Sequence, residues 1–167
     1  MKFKIRLTFV LVISIFLVLP VGAGAISESQ KTAISEGCEK IRESLKTVQH
    51  QDSRTRVYLG RYYETVISKY ITPLNVRLVE NNLFDGGLMD NQDSFSKTRN
   101  NFIIDFIEYQ KGLEDLVATD CKSEPEGFYN KLVKVREQRK LVEKDTVLLK
   151  ELMMTQLKLV NELKERI

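Results

Sequence analysis

The chain has 167 residues, 43% hydrophobic and 29% charged, with 8 Gly, 3 Pro, 2 Cys, one His and no Trp. That apolar share rules out a wholly disordered chain, and so few Gly and Pro argue against a turn-rich sandwich, a collagen-like repeat or a low-complexity linker. The formal charge of +3 comes entirely from Lys2, Lys4 and Arg6; without those three, the 26 Lys and Arg fall to 23, against 23 Asp and Glu. The balance beyond residue 25 is neutral and gives no reason to expect a nucleic-acid partner.

Lys2, Lys4 and Arg6 precede an apolar or small stretch from Leu7 to Leu19, then Pro20 and Val21-Gly22-Ala23-Gly24-Ala25. A charged start, an apolar centre and an A-x-A end at Ala23 and Ala25 read as a secretory signal peptide cleaved after Ala25. The alternative is an uncleaved membrane anchor over residues 7–25, since the apolar run is short for a span but extends if counted on to Ala25. Residues 1–25 are therefore assigned as signal and 26–167 as one domain, secreted, periplasmic or on the cell surface. Cys38 and Cys121, an even pair in an oxidising compartment and without metal-ligand spacing, read as one disulfide. Two free thiols or an intermolecular bridge are the alternatives.

From Ile34 the apolar residues Ile34, Cys38, Ile41, Leu45 and Val48 alternate steps of four and three, one face of a helix. The stripe lapses at Asp52 and Thr55 and resumes at Leu59, Tyr62, Val66, Tyr70, Leu74 and Leu78, which predicts one long first helix ending near Asn81-Asn82. Pro73 removes a backbone hydrogen bond and predicts a kink near residues 69–73. Asp85-Gly86-Gly87 is the clearest turn signal in the chain. A second helix, starting near Asp85 or after the polar run Asp90–Asp93, follows on the stripe Leu88, Gln92, Phe95, Arg99, Phe102, Phe106, Tyr109, Leu113 and Leu116, ending around Thr119–Cys121. Ser123-Glu124-Pro125-Glu126 then predicts a capped start for a third helix. Its seam is Phe128, Leu132, Val135, Val142, Leu149, Met153, Val160 and Ile167, with Leu141, Leu148, Leu152 and Leu159 widening the apolar face. That width predicts a helix buried between two others.

The fold class is therefore all-α: an elongated up-down-up bundle of three long, coiled-coil-like helices, the first of them kinked. A hairpin turn centred near residue 85 sets Cys121 about ten residues, roughly 15 Å, from register with Cys38. A disulfide within one chain then requires the first helix to bend or break near Gln51–Arg56.

The segment Cys121-Lys122-Ser123-Glu124-Pro125-Glu126-Gly127-Phe128-Tyr129, with the signal segment, an early helical cysteine and a long C-terminal helix, resembles a group of uncharacterised exported helical-bundle proteins of candidate-phyla bacteria. The resemblance implies a helical bundle with paired cysteines. It implies no activity, cofactor or partner.

No catalytic signature emerges from the residues. His50 has Lys46 and Arg54 four residues to either side, so metal-ligand spacing is missing, and neither a phosphate-cradling loop nor a nucleophile elbow is present. Asp85, Asp90 and Asp93 lack the order of a calcium loop. The expectation is no enzyme, no cofactor and no metal. The distinctive feature is the tyrosine-arginine cluster around Tyr58, Tyr62, Tyr63 and Tyr70 with Arg54, Arg56 and Arg61, residue types favoured at binding hot spots. Arg54, Tyr58, Arg61 and Tyr63 are the candidate interaction patch. The bland reading puts two tyrosines in the core, with Tyr62 and Tyr70 on the stripe itself. The expected function is an exported non-catalytic structural or protein-interaction bundle of the cell envelope. A holdase-type chaperone and a ligand-binding helical sensor module are the alternatives. The partner is an envelope or surface protein that the sequence does not identify; self-association is open, as is membrane attachment through an uncleaved leader.

Overall fold

The computed structural model describes residues 26–166; the assigned leader, residues 1–25, lies outside the described residues. Every regular element among the described residues is helical, so the chain is all-α. Helix α1 (Glu28–Glu36) starts from a capping box. The Ser27 hydroxyl accepts from the Gln30 backbone N–H, and the Gln30 amide oxygen accepts from the Ser27 N–H at 2.9 Å, which satisfies two otherwise orphaned donors. Gly37 separates α1 from α2 (Cys38–Val66). A Cβ at Gly37 would stand 3.1 Å from the Ala33 carbonyl, so the tight junction suits glycine.

Helix α2 runs through Gln51–Arg56 without interruption. It passes into a π-helical turn, Ile67–Ile71, and then into α3 (Thr72–Glu80), which holds Pro73 in its first turn. The irregularity that Pro73 announces is thus a π turn: the Thr72 N–H donates to the Ile67 carbonyl five residues back, just ahead of the residue that has no N–H to give. Asn82 ends α3 with φ 58°, in the left-handed region that Asn tolerates better than most residues. The Leu83 N–H bonds back to the Leu78 carbonyl at 2.8 Å and the Asn82 N–H to that of Val79 at 3.1 Å, closing the helix end.

The second helix takes the earlier of its two expected starts, so Asp85-Gly86-Gly87 opens the helix and does not centre the turn. Asp85 is the N-cap of α4 (Gly86–Ala118), its carboxylate accepting from the Leu88 N–H at 3.1 Å, and both glycines lie inside the first turn. The hairpin register consequently centres earlier than residue 85. Asn75 donates to the Leu88 carbonyl, the Tyr109 hydroxyl to Asp52, and Arg42 to the Thr119 carbonyl. The midpoints of those pairs fall at residues 80–82, and the midpoint of Cys38 and Cys121 falls beside them. The predicted offset vanishes, and with it the need for a bend at Gln51–Arg56. Cys38 and Cys121 form an intramolecular disulfide with Cα atoms 5.5 Å apart, both fully buried.

Between α4 and α5 (Pro125–Arg166) the connection is organised by Asp120, which accepts from the Lys122 N–H at 3.0 Å and the Ser123 hydroxyl at 2.8 Å. Ser123 is therefore committed to Asp120, and Glu126 pairs with Lys31 of α1 at 3.3 Å; the expected Ser123–Glu126 capping box does not form. Helix α5, 42 residues and about 63 Å long, packs chiefly along α4, which also packs against α2 and the π turn. The wide face expected to bury α5 between two helices is only half used, because Leu141 and Leu148 remain exposed.

The core is an aromatic file on α4. Phe102 stands edge-on to Tyr63 and Phe106, and Phe106 to Tyr109, with ring centroids 5.5–5.7 Å apart. Phe95, Leu113, Leu116, Phe128 and Leu149 extend it, and the disulfide seals one end. Reducing the bond, or the double substitution C38S/C121S, is expected to lower the unfolding free energy by about 2–4 kcal/mol, read from urea melts with and without reductant. Coincident melts would show that the bond constrains nothing in the unfolded chain.

Candidate interaction face

Across the middle of the molecule α2, α4 and α5 meet at a part-buried polar contact. The Tyr109 hydroxyl on α4 donates to Asp52 of α2 at 2.6 Å, and Arg139 of α5 reaches the same carboxylate oxygen at 3.5 Å. Burial, with the facing Asp52 carboxylate, pushes the Tyr109 phenol far up from its ordinary value, so it stays a proton donor at any physiological pH. At the adjacent residues Ser53 donates to Gln110 at 2.9 Å. Such contacts fix how α2 is rotated against α4, and that rotation decides which residues α2 shows to solvent.

Of the four patch residues, Arg54, Tyr58 and Arg61 lie on that outward face together, with Tyr58 69% exposed. Tyr63 does not join them. It is 3% exposed and stands against Phe95 and Phe102 in the core, so its place in the patch is corrected. The assignment of Tyr62 and Tyr70 to the core stripe is also overturned, since they are 44% and 66% exposed. The π turn accounts for Tyr70, which lies within it, whereas Tyr62 and Tyr63 precede it and are sorted by the rotation of α2 against Phe102. Inward positions advance as Tyr63, Ile67, Ile71 and Asn75, in steps of four that a 3.6-residue helix cannot keep on one line and a wider turn can. The clue in the sequence is that four-step run, which competes with the equally regular stripe through Tyr62, Val66 and Tyr70. His50 is exposed on the outer face, and among the described residues no group of three or more His, Cys, Asp or Glu comes together as a metal site.

A second feature escaped the periodicity altogether. Asn91, Thr98, Asp105, Gly112 and Thr119 recur every seventh residue on α4 and face a polar lane of α5. Asn91 donates to Gln156 at 2.7 Å, a Cβ on Gly112 would collide with the Gln138 amide, and Lys131 donates to Thr119 at 3.0 Å. At its centre Asp145 is 7% exposed, and its Oδ2 has no hydrogen-bond partner among the described residues. Burial raises its pKa most, and Asp105 on α4 adds to the effect, bringing it to about 6. Lys144 on its own helix opposes the shift only in part. Polar residues spaced this way admit one register of α4 on α5, because a slip would leave them facing apolar side chains.

Comparison with protein-family models, curated proteins and solved structures finds no match to this chain.

Two outcomes test this geometry. Tyr63→Ala is expected to cost about 3–5 kcal/mol as a buried aromatic truncation, whereas Tyr58→Ala should shift stability by no more than about 0.5 kcal/mol; thermal melts of the two variants decide. The second concerns pH. The folded state holds Asp145 protonated above the 3.8 of an ordinary carboxyl, so its contribution is complete below that value and is lost as pH rises through about 6. The wild type should therefore lose roughly 1–2 kcal/mol relative to Asp145→Asn between pH 5 and pH 8. Parallel urea curves for the two proteins at both pH values would show that Asp145 carries no shifted proton.

Proposed function

We propose that the chain is an exported, non-catalytic interaction module of the cell envelope, built as an elongated up-down-up bundle whose first long helix bends at the π turn. The observation that carries this reading is the outer face of α2, where Arg54, Tyr58 and Arg61 stand exposed while the polar groups of the interior pair mainly with one another. Arginine and tyrosine bring large contact area and directional hydrogen bonding to a surface at small entropic cost, which is why they recur at binding hot spots. The buried disulfide is compatible with an extracytoplasmic location, and no described helix is long and apolar enough to cross a membrane. Tyr109 and Asp52, the tightest phenol-carboxylate contact among the described residues, are turned into the bundle and tied to Arg139, an arrangement suited to holding helices together.

Light scattering on a sizing column, with a photo-cross-linking residue introduced at position 58, tests the reading. The expected result is a defined species eluting early for its mass and, in cells, a discrete adduct to one envelope component that is missing when the cross-linker replaces Glu137 on the far helix. Suppression of client aggregation at substoichiometric ratios, with no discrete adduct, would overturn it in favour of a chaperone.

A further inference from the structure

We propose that the outward face of α2 and α3, together with the Leu83–Phe84 loop that follows, binds the surface of a membrane rich in anionic lipid headgroups. Charge segregation is the first observation. Between Ser44 and Val79 the only acids are Asp52 and Glu64, both engaged with α4 or α5, and exposed Glu43 and Glu80 bound the stretch. Asp52 meets Tyr109 and Arg139, and Glu64 pairs with Arg99 of α4. Over the same stretch Lys46, Arg54, Arg56, Arg61, Lys69 and Arg77 are all exposed. Among the described residues none of the six makes an ion pair. A chain that is neutral beyond its leader thus carries six cations without ion-pair partners on α2 and α3, of which Arg56 lies about 200° round the helix from Arg54, on the side of Arg99 and Phe102.

Four of the six form an ordered row. Arg54, Arg61, Lys69 and Arg77 follow one another at seven- and eight-residue steps, about 10–12 Å of rise each. In an unbroken α-helix an eight-residue step would rotate the next side chain by about 80°. The wider π turn between Arg61 and Thr72 takes back part of that rotation, as it does for the inward residues Ile71 and Asn75. The same irregularity that keeps the core in line therefore keeps the cations in line.

Apolar groups accompany the charges. Tyr58, Tyr62 and Tyr70 stand beside the row, Val76 and Val79 continue it on α3, and it ends at Phe84, 73% exposed in the non-helical link before Asp85. His50, Arg54, Val57, Tyr58, Arg61 and Tyr62 line an open, mainly apolar depression of about 790 Å³ on this face. Cations for phosphate, tyrosine rings at headgroup depth and one phenylalanine at the tip are the elements of an interfacial surface. Lys and Arg near an anionic leaflet gain individually modest attraction that adds along such a row and is screened by salt. The inference rests on the chain being an exported interaction module, and it names the surface that the outer face of α2 meets.

The full chain has no Trp, so F84W supplies a single reporter. Mixed phosphatidylglycerol–phosphatidylcholine vesicles are compared with phosphatidylcholine alone. The apolar run Leu7–Leu19 can deliver the chain to either, so emission from position 84 is read and not total binding. The expected result is a blue shift and quenching by brominated acyl chains on mixed vesicles only, reduced at least about threefold in F84W/R54E/R61E/K69E and by raised salt. Those three charges are exposed, so an unchanged circular-dichroism melt shows that the variant retains its fold. Emission that stays at the solvent wavelength, or shifts equally on neutral vesicles, overturns the proposal. So does a shift produced by polyglutamate and not by vesicles, which would assign the face to an acidic protein. A discrete adduct at position 58 with no vesicle response leaves the interaction module standing and removes only its lipid partner.

Discussion

Helix α4 has two sides to bury, and the rest of the molecule is arranged to cover them. Its aromatic file, Phe95, Phe102, Phe106 and Tyr109, needs an apolar neighbour and finds α2 through Tyr63 and the π turn through Ile71. Its polar lane needs hydrogen-bonding neighbours and finds α5 through Gln156 and Lys131. Burying the aromatic file supplies most of the driving force, since each ring removes a large apolar area from water. The polar lane adds little net stability and a great deal of specificity, because an unpaired buried amide or carboxyl penalises every other register.

Both ends of the α2–α4 hairpin are tied by chemistry that tolerates no slippage. At one end the disulfide joins Cys38, just past the glycine that breaks α1 from α2, to Cys121, just past the end of α4. At the other, Asn75 donates to Gln92 at 2.7 Å and to the Leu88 carbonyl at 3.2 Å across the Asn81–Asp85 link. Asp85 then pairs with Arg166, which brings the last turn of α5 back to the first turn of α4. That arginine, with the Leu88 N–H, holds the Asp85 carboxyl below its usual range, so the cap remains charged where the positive end of α4 favours an anion. With the ends held, the Asp105–Asp145 pair sets two carboxyl groups against each other across the α4–α5 interface.

The π turn joins the interior to the exterior. It absorbs the irregularity that Pro73 demands, lets Tyr63, Ile71 and Asn75 all point inward, and by the same rotation aligns the outer residues of α2 with those of α3. An interior requirement and an exterior pattern thus share one cause. Between Ser44 and Val79 the two acids, Asp52 and Glu64, serve the contacts to α4 and α5, which leaves the basic residues of that stretch without ion-pair partners among the described residues.

Helical class and the stop at Asn81-Asn82 were legible in the residues alone, and the pairing of the two cysteines followed from their even count. Helix and stop each depend on neighbours within a turn or two: a three-four spacing and an amide that can adopt a left-handed conformation. So were Arg54, Tyr58 and Arg61 as surface residues, since an arginine's charge is rarely buried without a partner. Tertiary structure alone decided which of two adjacent tyrosines, Tyr62 or Tyr63, turned inward, because both lie on acceptable stripes and only the rotation of α2 against Phe102 separates them. It also decided that Asp85 caps a helix instead of centring a turn, which moved the hairpin register by several residues and brought Cys38 to Cys121. The burial of Asp145 opposite Asp105 belongs there too: a carboxylate amid charged neighbours in sequence carries no mark of the helix that will cover it, and that covering is a contact between residues forty apart.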